Sequence, residues 1–249
     1  MERQTLLGVP IDVSNLSEVA RSIAALALDR SPAMVCVSDV NSLMTARKSP
    51  NHMTAFRSAA IITADGMPII WALRALGHKT AQRVSGTDLV HAVCACPEGH
   101  RIRHYLYGGA TSVAEKAAHE LVKTHGINVA GTECPPFGPM SRTECEQVRI
   151  RIKNSGANIV WVGLGCPKQE RWMLENFQHL NATVVGVGAA FDFIARSKTR
   201  APKWMQSAGL EWLHRLATEP QRLWRRYLVT AATFVPLALT EVAVSHFKR

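Results

Sequence analysis

Asp65 is the residue best placed for acid–base chemistry, at the end of the run Ile61-Ile62-Thr63-Ala64-Asp65-Gly66-Met67-Pro68. A branched apolar run stops there at a carboxylate, Gly66 permits a sharp turn, and Pro68 suits the first turn of a helix. A carboxylate so placed can take the proton of an attacking hydroxyl within hydrogen-bond reach. Asp-Gly is also a plain turn dipeptide, so spacing alone leaves catalytic and structural roles level. Three more segments carry polar or glycine-rich ends. Val37-Ser38-Asp39-Val40-Asn41 has the form of a strand-to-helix junction, which by itself an ordinary N-cap by Ser38 or Asp39 explains better than a function does. Leu106-Tyr107-Gly108-Gly109-Ala110-Thr111-Ser112 leads into a helix whose free N–H groups suit a phosphate, although many such turns need glycine and bind nothing. In Val162-Gly163-Leu164-Gly165-Cys166-Pro167-Lys168-Gln169-Glu170, the small residues allow close backbone approach. Lys168 and Gln169 there offer donors to phosphate or sugar hydroxyls, while the helix dipole alone accounts for Glu170.

Each of these segments follows a run that reads as a strand. Short apolar runs at residues 34–37, 60–63, 105–107, 127–131, 159–163 and 184–187 alternate with stretches of helical period. This pattern predicts an α/β, Rossmann-like core with a mainly parallel sheet flanked by helices. Ligands of such sheets bind at the carboxyl ends of the strands, where all four segments fall. Asn15 with Glu18, and Ser112 with Glu115, have the spacing of capping boxes at helix starts. Residues 5–13 suit a hairpin turning near Gly8-Val9-Pro10. Past Ala195 the alternation stops. Residues 1–195 are therefore expected to form the catalytic core, and residues 196–249, with Trp204, Trp212 and Trp224, a basic helical appendage.

Of the formal net charge of +10, the appendage holds +7, from ten Lys/Arg (Lys248 and Arg249 among them) and three Glu. A basic tail on a nearly neutral core calls for a partner of its own. Residues 228–244 are mostly apolar but broken by Pro236 and Glu241, short of the ~20 that a spanning helix needs. They are expected to lie in an anionic membrane interface, with packing on the core or a second subunit as the alternative. With 47% hydrophobic and 19% charged residues, the chain is globular, not disordered or fibrous. Its six cysteines lack a C-x-x-C pair and no basic-then-apolar leader opens the sequence, so reduced, buried thiols in a cytoplasmic protein are expected.

Several chemistries lack their residues. There is no G-x-x-x-x-G-K-[ST] loop, and neither Gly163-Leu164-Gly165 nor Gly186-Val187-Gly188 completes a dinucleotide fingerprint, which disfavours a nicotinamide enzyme. No Asp is followed two residues on by another, the acidic pair that holds a divalent ion on a nucleotide-sugar. His91-Ala92-Val93-Cys94-Ala95-Cys96 has no second pair to complete a zinc site and reads as an apolar helix. His104 reads as a surface or satisfied core residue. The expected site therefore uses no metal and no cofactor. A nucleic-acid-binding protein driven by the basic tail is the competing function; it predicts salt-steep binding, but no nucleic-acid motif supports it.

Taken together, several strings resemble the WecG/TagA/CpsF family of bacterial glycosyltransferases. They are Thr63-Ala64-Asp65-Gly66-Met67-Pro68, Arg83-Val84-Ser85-Gly86-Thr87-Asp88-Leu89, Gly163-Leu164-Gly165-Cys166-Pro167-Lys168-Gln169-Glu170 and Gly186-Val187-Gly188-Ala189-Ala190-Phe191-Asp192. Arg200-Ala201-Pro202-Lys203-Trp204, Gly209-Leu210-Glu211-Trp212-Leu213-His214-Arg215-Leu216 and Glu219-Pro220-Gln221-Arg222-Leu223-Trp224-Arg225-Arg226-Tyr227 complete the set. The resemblance implies inverting, metal-independent transfer of a hexose-type sugar from a UDP-sugar to a polyprenyl-diphosphate-linked saccharide, in cell-surface or exopolysaccharide synthesis. N-acetylmannosamine, its uronic acid, glucose and glucuronic acid are the candidate sugars. The enzyme would be peripheral on the inner face of the cytoplasmic membrane, and a second copy of the chain is a further candidate partner. By resemblance, Asp65 is the general base on the acceptor hydroxyl, and Arg83 and Gln169 bind the donor. Asp39, Asn41, Gly108, Gly109, Gly165 and Lys168 complete the candidate donor side. Arg215, Arg222 and Arg225 match basic positions suited to a lipid or UDP diphosphate, whose oxygens guanidinium forks pair bidentately. One departure stands out: Val37-Ser38-Asp39 replaces the Thr-Pro-Asn of many relatives, with Asn41 two residues on. Asp39 would then disfavour an acidic donor sugar, and it competes with Asp65, the preferred candidate, for the base role.

Overall fold

The structure, a computed structural model, describes residues 1–247 except Phe137 and Pro139; Lys248 and Arg249 of the basic tail lie outside the described residues. The chain opens with an antiparallel hairpin of β1 (Glu2–Leu6) and β2 (Val9–Val13). Its turn falls on Leu7-Gly8, at φ 53° and 80°, rather than on Gly8-Val9-Pro10. A two-residue turn that matches strand twist needs positive φ at both positions, so Gly8 takes the second and Pro10 joins the strand opposite Thr5. Asp12 ties the hairpin down: Arg3 pairs with it at 2.8 Å, and its Oδ2 accepts the N–H of Ile62 at 2.7 Å.

Strands and helices then alternate as α1 (Leu16–Leu28), β3 (Ala33–Ser38), α2 (Val40–Lys48), α3 (Pro50–Ser58), β4 (Ile61–Ala64), α4 (Met67–Ala75), α5 (Gly86–Cys94), β5 (Arg103–Gly108) and α6 (Val113–His125). They continue through β6 (Asn128–Glu133), α7 (Arg142–Asn154), β7 (Ile159–Gly163), α8 (Lys168–Asn176), β8 (Thr183–Gly186) and α9 (Ala190–Ile194). The last six strands are parallel, in the order β4-β3-β8-β7-β5-β6. Each overlaps an apolar run read from the sequence. These runs are continuous rather than alternating because helices cover both faces of the sheet: Met34, Cys36, Ile62, Val160 and Val184 fill one layer, and Val35, Ile61, Leu106, Trp161 and Val185 the other.

The local expectations divide. Asn15 caps α1, accepting the Glu18 N–H at 2.9 Å. Ser112 precedes α6 in a left-handed conformation, φ 62°, and does not cap it; its hydroxyl donates to the Thr111 carbonyl instead. His104 is a satisfied core histidine, accepting the indole N–H of Trp161 at 3.1 Å, and burial pushes its pKa down to about 4. The cysteines are all unpaired, but only Cys36 and Cys94 are buried; the other four lie at loops or helix ends that keep them partly exposed.

After α9 come α10 (Lys203–Ser207), α11 (Glu211–Thr218) and α12 (Pro220–Phe247). The last is a single 28-residue helix that runs through Pro236. By length and composition it could cross a membrane. One face is already taken: Phe234 and Ala238 are buried, α12 packs against α2 and α4, and Glu241 accepts the Leu7 N–H at 2.7 Å. Val229, Leu239 and Phe247 are exposed at 57%, 65% and 93%. Core packing and an outward apolar surface are thus properties of different faces of one helix.

Candidate active site

Because the sheet is parallel, every strand ends on one edge and every following helix begins there. Over the ends of β3, β4 and β8, that edge borders a cavity of about 690 Å³, whose far wall comes from α11 and α12. Asp39, Asn41, Asp65, Arg83, Glu211 and Arg215 supply its charged and amide groups, and Trp71, Trp212, Tyr227 and Phe234 its aromatic side. Three helices, α2, α4 and α5, start on its wall, through Val40, Met67 and Gly86. Their free N–H groups and dipoles favour an anionic group there. Gly86 has no room for a side chain, since a Cβ would stand 2.6 Å from the Val187 carbonyl oxygen.

Asp65 extends the edge of β4, its N–H donating to the Ser38 carbonyl at 2.9 Å. The Val84 N–H donates to the Ala64 carbonyl, also at 2.9 Å, which brings Arg83 alongside. Arg83 then grips Asp65 three ways: Nε donates to the main-chain oxygen at 2.6 Å and to Oδ1 at 3.0 Å, and Nη2 to Oδ1 at 2.9 Å. Nη2 also donates to Glu211 Oε2 at 2.8 Å. One guanidinium therefore serves two carboxylates. Asp65 Oδ2 has no hydrogen bond among the described residues, and the side chain keeps 30% exposure into the cavity. Burial pushes the Asp65 pKa above the ordinary carboxylate range, with the charges of Glu211 and Asp39 adding to it and Arg83 opposing. A raised pKa makes the ionised form a stronger proton acceptor.

Glu211 also faces Arg200, at 3.5 Å, and Arg200 forks onto Asp88 at 2.6 and 2.8 Å. Ser85 caps α5 and joins the same network, so the cavity end of that helix is fixed by charge as well as by sterics. Asp39 caps α2, accepting the Ser42 N–H at 2.7 Å, and lines the cavity at the same time. The ordinary and the functional reading of that residue therefore coexist. Arg215 lies 5.8 Å from the Phe193 ring centroid, and its Nε has no partner among the described residues.

Seven of the twelve sequence candidates do not line this cavity. Gly108 and Gly109 pack β5 on β7: the Gly109 N–H donates to the Gly163 carbonyl at 3.0 Å, and a Cβ on Gly108 would meet Gly163 at 2.6 Å. Close strand approach thus accounts for Gly108, while Gly109 turns at φ 81° with Val113 3.1 Å from where a Cβ would stand. Gly165 turns at φ 74° ahead of α8, and Lys168 is exposed on that helix's first turn. Gln169 is only 3% exposed and stands behind the cavity wall. Its Oε1 accepts the Gly188 N–H at 2.8 Å, which holds the loop whose Val187 and Ala189 do line the cavity. Arg222 pairs with Glu219 at 2.6 Å, and Arg225 stands 5.1 Å from the Trp224 ring. Glu211, Arg200 and the aromatic wall went unassigned in the sequence reading. Glu211 lies 128 residues from Arg83, and no spacing rule joins groups so distant.

Over residues 4–247 the chain matches the family model described as "Glycosyl transferase WecG/TagA/CpsF family".

Proposed function

Since the chain belongs to the WecG/TagA/CpsF family and is a glycosyltransferase of cell-surface polysaccharide synthesis, we propose that it moves a hexose-type sugar from UDP to a polyprenyl-diphosphate-linked saccharide. The observation that carries this reading is Asp65, a carboxylate with one free oxygen at the rim of a cavity walled by helix N-termini and arginines. Asp65 Oδ2 takes the proton of the acceptor hydroxyl. The acceptor oxygen forms its bond to the anomeric carbon as the bond from that carbon to the diphosphate oxygen breaks, with its electron pair leaving on the diphosphate. Displacement from the opposite face inverts the anomeric centre. The growing negative charge is met by Arg215, whose Nε is unpaired, and by the N-termini of α4 and α5. Residues 196–247 act as an appendage that brings Glu211 and Arg215 to the core.

Screening UDP-N-acetylmannosamine, its uronic acid, UDP-glucose and UDP-glucuronic acid against polyprenyl-diphosphate acceptors tests the reading. UDP release that requires both substrates is expected. Calorimetric binding of NADH without binding of UDP would sink it.

Asp39 sets part of the donor choice. Asn is as good an N-cap as Asp, so Asp39→Asn keeps α2 capped while removing a negative charge from the wall. The ratio of kcat/KM for UDP-glucuronic acid over UDP-glucose is expected to rise about tenfold, or about 1.4 kcal/mol. An unchanged ratio would remove Asp39 from specificity.

The exposed face of α12 is the part assigned to an anionic membrane surface. Removing residues 228–247 would also strip Leu228, Ala231 and Phe234 from the cavity wall, so point changes are the cleaner probe. Val229→Glu with Leu239→Glu is expected to cut cosedimentation with anionic vesicles at least tenfold. Turnover on a short, water-soluble acceptor should stay within about twofold, since these two exposed apolar groups contribute to lipid binding but neither lines the site.

A further inference from the structure

We propose that the chain carries a second, non-catalytic site, in which His52, Cys166 and Glu170 hold a zinc-like divalent metal. The three come from separate elements: α3, the loop between β7 and α8, and the first turn of α8. A histidine ring nitrogen, the thiol sulfur and a carboxylate oxygen all lie within 4.8 Å of one another, with His52 Nε2 4.0 Å from Cys166 Sγ. His52 is 5% and Glu170 2% exposed, while Cys166 is partly exposed and leaves a route in from solvent.

The strongest sign is on Glu170. Among the described residues, its Oε1 receives two long side-chain contacts, from Ser42 Oγ and Gln169 Nε2, both at 3.4 Å. Its Oε2 is buried with no partner among the described residues. A buried carboxylate oxygen without a donor is rare in folded proteins, and a cation at this point would satisfy it. The donor set selects the ion. Imidazole, thiolate and carboxylate together are zinc ligands, whereas magnesium and calcium take oxygen. Metal–ligand lengths of about 2.0–2.3 Å place tetrahedral ligands roughly 3.3–3.6 Å apart, so closure asks each side chain to move by less than about 1 Å. Ser42 Oγ, 3.2 Å from His52 Nε2, stands where a fourth ligand or a water would complete the shell.

None of the three residues lines the active-site cavity, so this metal lies off the donor diphosphate and leaves metal-independent transfer intact. It is joined to the cavity structurally. Ser42 follows Asn41 on α2, and Glu170 follows Gln169, which holds Gly188 between the wall residues Val187 and Ala189. A metal clip between α3 and α8 would firm both supports.

The test uses the full-length, tag-free chain, stripped with a chelator and titrated with Co²⁺ and then Zn²⁺. One Co²⁺ per chain is expected, with a near-ultraviolet sulfur-to-cobalt charge-transfer band that Zn²⁺ abolishes. His52→Ala and Glu170→Gln should each weaken binding at least tenfold. Cys166→Ser should erase the band, whereas joint serine replacement of the partly exposed Cys96, Cys134 and Cys145 should keep it. A readout independent of folding is alkylation of Cys166 in the unmodified chain, followed by peptide mass spectrometry: stoichiometric Zn²⁺ should slow it at least tenfold. Absence of stoichiometric binding, persistence of the band in Cys166→Ser, or alkylation unaffected by Zn²⁺ would each overturn the proposal.

Discussion

Asp65→Asn is expected to lower kcat by about 10²- to 10⁴-fold, the usual contribution of a positioned general base, with donor KM changed only a few-fold. Asn keeps an oxygen where Oδ1 accepts from Arg83 at 2.9 and 3.0 Å, so the cavity wall is preserved while the proton acceptor is lost. The pH profile separates this from a structural fault. A protonated carboxylic acid cannot take the acceptor's proton, so activity falls as pH drops through the Asp65 pKa. Burial has moved that pKa above the ordinary value of about 3.9, and the acid limb of kcat should sit correspondingly higher. Asp65→Asn should flatten the limb. Glu211→Gln, which removes a charge that raises the Asp65 pKa, should shift it to lower pH. UDP release at saturating donor and acceptor measures all three, and full activity in Asp65→Asn would pass the base role to Asp39.

Arg83→Met should show the second large effect, on stability and activity together. It leaves Asp65 and Glu211 facing one cavity without their shared cation, with side chains 30% and 13% exposed. Breaking a buried pair from one side costs about 3–5 kcal/mol, and the residual exposure of Asp65 puts the expected loss at the lower end. Urea unfolding measures it. In the same variant the acid limb of kcat moves to higher pH, because the group that held the Asp65 pKa down is gone. Arg83→Met with Glu211→Gln should recover part of the stability, since one of the two like charges is removed, without recovering activity. Equal unfolding midpoints for Arg83→Met and the unchanged chain would show that the triad does not form in solution.

The fold was legible because its cause is local. Strands covered on both faces must be continuous apolar runs, and six such runs appear in the sequence within about three residues of the observed strands. Parallel pairing follows from the helical stretches between them, and it alone places Asp65 on the ligand edge. Capping was less legible: Asn15 caps its helix as its spacing suggests, whereas Ser112, also with a glutamate three residues on, sits at positive φ and bonds backward. The three-residue spacing does not fix the dihedral that allows a cap, and Asp39 caps α2 without a glutamate at that spacing.

At the site, the sequence determined the chemistry of single residues: a carboxylate, an arginine and an N-capping acid at strand ends, and a basic, tryptophan-rich tail. Tertiary structure decided which of these meet. Gly108, which could have cradled phosphate, is needed where β5 crowds β7, Gly109 serves a turn at φ 81°, and Gln169 turned inward to hold Gly188. Glu211, far along the chain and assigned no role in the sequence reading, arrived beside Arg83. The physical reason is range. Periodicity, turn chemistry and capping act over a few residues and are written in spacing, whereas the partners of a buried charge are set by packing between elements that spacing does not relate. Asp65 could be picked out as a carboxylate by its position, but its pKa is raised only once packing has buried it and brought Glu211 near, and one oxygen is left free only because Arg83, which opposes that rise, has been folded against the other.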